Sequence, residues 1–169
     1  GFRSTGSGES SHAEGYLSLS EGAYSHTEGY NSISRGTGSH AEGFSTLAIE
    51  GHSEGFNTTS SGLYSHAEGY QSISDGFASH AEGNNTSASQ YYAHAEGEYT
   101  TVLGTGSHAE GSSNNIIGDY SHAEGVGNQI LEGYQGVHVE GTGNTGEANY
   151  SHAEGRNTVA NNSYAHAEG

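Results

Sequence analysis

Ser65-His66-Ala67-Glu68-Gly69, followed after two residues by Ser72-Ile73-Ser74-Asp75-Gly76, decides the fold of this chain. Both stretches alternate a small residue with a larger one and close on glycine. Five residues are too few for a helix, and a glycine in every turn would break a helical heptad pattern. The alternation belongs to short β-strands, whose successive side chains take opposite faces.

The first stretch recurs along the whole chain. All twelve histidines stand in its second position: His12, His26, His40, His52, His66, His80, His94, His108, His122, His138, His152 and His166. A glutamate follows each by two residues: Glu14, Glu28, Glu42, Glu54, Glu68, Glu82, Glu96, Glu110, Glu124, Glu140, Glu154 and Glu168. Successive histidines are 14 residues apart, except for 12 between His40 and His52 and 16 between His122 and His138. A fixed short period of this kind is the signature of a solenoid. The second stretch recurs with it, as Ser18-Leu19-Ser20-Glu21-Gly22 and Ser32-Ile33-Ser34-Arg35-Gly36. The expected architecture is all-β: a parallel β-solenoid of twelve coils, each with two short strands, spanning residues 1–169 as a single domain. The segment begins and ends in phase with the repeat, so it is expected to be an excerpt of a longer fibrous protein.

Composition narrows the function. Leu, Ile, Val and Phe together number 21 of 169 residues, while Gly alone numbers 29 and the net charge is -17. Without its periodic order such a chain would read as disordered. Lys, Pro, Cys, Met and Trp are absent, and the cations are Arg3, Arg35 and Arg156. Strong negative charge makes nucleic acid and anionic lipid poor partners. No stretch is apolar enough to insert into a membrane as a helix.

Alternation assigns the two faces of each strand. Ser25, Thr27 and Gly29 point one way, into a thin interior, while His26 and Glu28 point outward. A layer of small side chains buries little apolar area, so a further apolar surface is expected elsewhere. The outward positions of the second strand supply it: Leu19, Ile33, Leu47 and Ile73, then Leu103, Ile117 and Leu131 one position along. Val102, Ile116 and Ile130 also fill inward positions, which makes that strand apolar on both faces, as in sheets covered on both sides. Those outward residues are the expected oligomer interface; the alternative places Leu and Ile inside the roll.

Asn31-Ser32-Ile33-Ser34-Arg35-Gly36, and in part Asn157-Thr158-Val159-Ala160, resembles the second strand of the repeats in trimeric autotransporter adhesin heads. The Ser-His-Ala-Glu-Gly form is also similar to repeats of phage tail-fibre and spike proteins. The resemblance implies a left-handed parallel β-roll, three chains around one axis, and an extracellular place on a cell or virion. Expected partners are the chain itself, as a homotrimer with end-to-end filament formation as an open alternative, and a host or bacterial surface glycan or protein. The repeated His and Glu depart from the adhesin pattern.

Three chemical readings attach to the outward columns. Ser, His and Glu within four residues suggest a catalytic triad, but alternation puts Ser and His on opposite faces, and the chain is not expected to be an enzyme. The twelve His/Glu pairs could hold the register of the coils, with the carboxylate column favouring protonation of the imidazoles. The alternatives to that reading are binding of a divalent metal along the columns and pH sensing near neutrality, and no other cofactor is implied. Aromatic residues form two further columns. Phe2, Tyr16, Tyr30, Phe44, Phe56 and Tyr70 follow the motif glycine, a ladder expected either to stack for stability or to bind sugar, and it is interrupted at Asn84. Tyr24, Tyr64, Tyr92, Tyr120, Tyr150 and Tyr164 precede the histidines at the other turn, where stacking is also expected.

Overall fold

The computed structural model describes residues 1–169 as two parallel sheets of twelve strands each, with no helix. One sheet is built from the histidine stretches, such as His26–Tyr30 and His66–Tyr70; the other from two-residue strands, such as Leu19–Ser20 and Ile73–Ser74. Each strand pairs with its equivalent one coil away, His66 beside His80 and Glu68 beside Glu82. The chain is therefore a parallel β-solenoid, and every position of the repeat becomes a column.

The second strand is shorter than the five residues of its motif. Left-handed backbone at the preceding turn, at Leu17, Asn31 and their equivalents, bends the chain into it. Ladder hydrogen bonds still extend past the two strand residues, from Glu21 N to Ser34 O and from Arg35 N to Ala48 O. In all, 119 backbone–backbone hydrogen bonds form over 169 residues, close to the two-thirds of about one per residue expected of an ordinary globular chain. A complete ladder is thus reached with a very small core.

Glycine explains how tightly the coils stack. Gly29 has φ of 112°, and a Cβ there would lie 2.0 Å from the carbonyl oxygen of Gly43 in the next coil. The contact recurs along the column, so no other residue fits without separating the coils.

Both departures from the 14-residue period fall in the turn that precedes a histidine. Four residues usually link the second strand to the next long strand, as Arg35 to Gly38 do between Ser34 and Ser39. Only Ile49 and Glu50 do so before Gly51, and six, Leu131 to Gly136, before Val137. Pairing stays in register across both, His40 with His52 and His122 with His138. The longer turn lays Tyr134 against the interior cluster.

The interior is as alternation requires. Ser25, Thr27, Ala41 and Ala67 are fully or almost fully buried, and His26 and His66 are half-exposed. It is not uniform along the rod. From Ser20 to Ser79 it is mostly hydroxyls, with Ser20 Oγ 2.6 Å from Ser25 Oγ and Ser25 Oγ donating to Gly22 O at 2.6 Å. From Ala81 onward one apolar cluster of 13 residues runs through the roll, including Val102, Ile116, Ile130, Val137 and Val139. Side chains in this cluster complement one another in volume: Gly146 sits where a Cβ would meet Val137 Cγ1 at 2.3 Å.

A ladder of buried asparagines accompanies the apolar half. Asn114 Oδ1 accepts from Asn128 N, Asn128 Oδ1 from Asn144 N and Asn144 Oδ1 from Thr158 N. Their Nδ2 groups donate to Glu110 O, Glu124 O and Glu140 O, which leaves no amide wasted in a low-dielectric interior. Earlier coils place Ser or Thr here, with Ser18 and Ser32 donating to Gly29 O and Gly43 O.

Stability is expected to be graded along the rod, because each coil contacts only its neighbours. Ile130→Ala should cost about 2–5 kcal/mol, whereas Ser34→Ala at the equivalent inward position should cost about 1 kcal/mol. Native-state hydrogen exchange should find slower amides between Ala81 and Ala160 than between Thr5 and Ser74. Equal protection in both halves would show that the interior does not set local stability.

Candidate functional site

The outward face of the long-strand sheet carries the His and Glu columns. Neighbouring imidazoles lie face to face, with ring centroids 4.4 Å apart at His94–His108 and 4.9 Å at His12–His26. Within a coil, Nε2 of His faces Oε2 of Glu, at 3.4 Å for His66–Glu68 and 3.8 Å for His108–Glu110. Only His52 and His66 form a hydrogen bond with the glutamate of their own coil, each a long one of 3.4 Å, and Nε2 of His40, His80, His94, His108, His122, His138 and His152 is buried without a hydrogen-bond partner. The columns are held by ring stacking and by the backbone beneath them more than by hydrogen bonds between side chains. Ser65, by contrast, turns its Oγ inward to donate to Gly62 O, so Ser and His of one repeat do not meet.

The expectation that the glutamates favour protonated imidazoles is overturned where a shift is resolved. Burial within the stack, and then the charge of neighbouring histidines, holds His52, His94, His108 and His138 below the usual imidazole value of 6.5. Glutamate attraction opposes this and is the weaker effect, because the carboxylates are more exposed than the rings, 52% against 37% at Glu110 and His108.

The regular column breaks at one place. His122 makes no ion pair with its own glutamate, and His166 pairs with Glu154 of the preceding coil rather than with Glu168; the ring of His122 is tilted 42° from that of His138, whereas the other successive pairs are inclined by 22° or less. This break coincides with the six-residue turn between Ile130 and Val137. Beside it, Glu124, Glu140, Glu154 and Glu168 and the glycine after each line an open trough of about 710 Å³. Interaction with the Glu140 carboxyl and then a hydrogen bond from His166 hold the Glu154 carboxyl below the usual carboxylate range. His166 Nε2 lies 3.0 Å from Glu154 Oε1. Of the 24 residues expected as metal ligands from sequence, His138, Glu140 and His152 form one group with ligand atoms all within 4.8 Å, and His152, Glu154 and His166 form a second.

The aromatic columns behave differently from each other. Phe2, Tyr16, Tyr30, Phe44, Phe56 and Tyr70 form a continuous stack, with centroids 4.7–5.2 Å apart and rings within 8° of parallel. Ring faces are turned to one another, so edges and tyrosine hydroxyls meet the solvent. The expected stack at the other turn is found only between Tyr150 and Tyr164, at 5.5 Å. Tyr64 and Tyr92 instead meet Phe77 edge-on, at 5.7 and 5.6 Å. The reason is that small residues alternate with tyrosine there: a Cβ on Gly106 or Gly136 would touch the ring of Tyr120 or Tyr150 in the next coil.

On the short-strand sheet, Leu19, Ile33, Leu47, Ile117 and Leu131 are half-buried, and Ile73 and Leu103 are each 40% exposed. All face outward, as expected from sequence. The six-residue turn partly shelters Leu103 and Ile117, which line a cleft with Glu132, Tyr134 and Asn149.

The asparagine ladder and the break at His122 were not anticipated. The first had a signal, since Asn114, Asn128 and Asn144 occupy the register position of Ser72, Thr86 and Thr100. The second had only the 16-residue spacing. No protein-family model matches the chain, and no curated protein matches it significantly.

The lowered imidazole values fix the direction of a pH effect. The unfolded chain takes up these protons near pH 6.5 and the folded chain only at lower pH, so the stability is fully present above 6.5 and is lost as pH falls through the folded-state values. The melting midpoint should be lower at pH 5.5 than at pH 8, and His94→Gln with His108→Gln should reduce the difference. A midpoint unchanged or higher at pH 5.5 would contradict the assignment.

Proposed function

We propose that this chain is a structural and adhesive fibre segment of an extracellular trimer, a rigid spacer on a cell surface or virion whose flank meets a surface glycan or protein. The observation that carries this reading is the unbroken stacking of twelve coils in one register. At ~4.8 Å per coil the rod is ~58 Å long, and its backbone ladder makes it stiff along the axis.

The outward apolar column of the short-strand sheet supports association. Leu19, Ile33 and Leu47 are consecutive partners across that sheet, and they form a strip that a second copy of the same strip would cover. A lone roll whose N-terminal half encloses mainly hydroxyls gains little from its interior, so burial of this strip would supply the missing apolar area. Three copies around an axis would leave the histidine sheet outside. The aromatic stack from Phe2 to Tyr70 then lies along the outer flank, where its edges and hydroxyls offer polar and apolar contacts to a surface polymer.

Sedimentation equilibrium or light scattering tests the assembly. The expected particle has about three times the chain mass of 17.4 kDa, and Ile33→Lys with Leu47→Lys should shift it to monomer while leaving a β-rich circular dichroism spectrum. A monomeric wild-type chain at micromolar concentration would overturn the trimeric reading.

A further inference from the structure

We propose that the interruption of the histidine column creates a localised site for a zinc-class divalent cation, held by His138, Glu140 and His152. Three features of the structure converge on these coils. The six-residue turn before Val137 tilts His138 by 42° from His122, so the rings here no longer repeat the geometry of the preceding column. One ligand atom each of His138, Glu140 and His152 lies within 4.8 Å of the other two, a grouping found elsewhere only at His152, Glu154 and His166. Nε2 of His138 and of His152 is buried and has no hydrogen-bond partner, although each lies near a carboxylate.

The donor set selects the class of ion. Two imidazole nitrogens and one carboxylate oxygen suit zinc, nickel or copper, and are a poor set for calcium, which takes six to eight oxygens. The donor atoms lie within 4.8 Å of one another, wider than a closed coordination sphere. The rings of His138 and His152, 4.6 Å apart and inclined by 22°, must turn further toward each other for both nitrogens to reach one ion. The trough lined by Glu124, Glu140, Glu154 and Glu168 leaves an open side from which water or a second carboxylate completes the sphere. The second group, His152, Glu154 and His166, shares His152, so the two compete for one ion. In the regular coils no three donor atoms gather within that distance.

Calorimetric titration of the intact chain with zinc sulfate at pH 7.5 tests the assignment. The expected result is saturable binding of about one ion per chain, lost in His152→Ala and weakened roughly tenfold or more in Glu140→Gln, since even outer ligand partners carry that much. His66→Ala, in the regular part of the same column, should bind as the wild type does. Circular dichroism establishes that each variant is folded, and Glu140→Gln decides the question if His152→Ala is not. Absence of saturable binding, equal loss in His66→Ala, or a stoichiometry approaching one ion per coil would each overturn the proposal.

Discussion

Everything in this molecule follows from parallel, in-register pairing of each coil with the next. The backbone ladder sets a spacing of ~4.8 Å and places like residue on like. Glycine at Gly29 and its equivalents is what allows the coils to close to that distance, since a Cβ would strike the next carbonyl oxygen. Once the spacing is fixed, side chains have no freedom to choose their neighbours. Aromatic rings stack, asparagines form an amide ladder, and imidazoles and carboxylates run in continuous columns, as in other in-register parallel arrays. The lowered proton affinity of His52, His94, His108 and His138 is a direct result, because the stack takes these rings out of water and charged rings at this separation would repel one another.

The same constraint explains how so polar a chain divides its stabilisation. In the N-terminal half the interior is hydroxyl-lined, and the large apolar contacts lie outside, in the aromatic stack from Phe2 to Tyr70. The stack ends where Asn84 replaces the ring, and the interior apolar cluster begins at Ala81, in the same coil. From there Val102, Ile116 and Ile130 fill the roll, and the asparagine ladder satisfies the polar groups beside them. The two halves are thus built on one backbone with different side-chain economies.

The repeat was legible in sequence because its physical cause is local. Alternation at Ser25-His26-Thr27-Glu28 determines which side chains are buried, and pairing of equivalent residues reproduces that choice in every coil. The outward placement of Leu19, Ile33 and Leu47 could be read in the same way. What could not be read depends on geometry between coils. The balance of burial against carboxylate attraction at His94 required the actual exposure of both groups. The failure of tyrosines such as Tyr64 and Tyr92 to stack on one another depends on small residues in the intervening coils. The disturbance at His122 comes from a turn elsewhere in its coil, through the orientation of a ring two strands away in sequence.

The central claim is that equivalent positions advance along one axis by a constant step per coil. The chain has no cysteine, so a pair of introduced cysteines can be spin-labelled without background. Labels on the outward column of the short-strand sheet, at Glu21 with Asp75 and at Glu21 with Glu147, are four and nine coils apart. Pulsed dipolar spectroscopy, with the labelled chain diluted into unlabelled chain, should give narrow distributions centred at ~19 and ~43 Å. Distances that do not grow in proportion to the number of coils, or distributions too broad to assign, would contradict the solenoid and everything inferred from its columns.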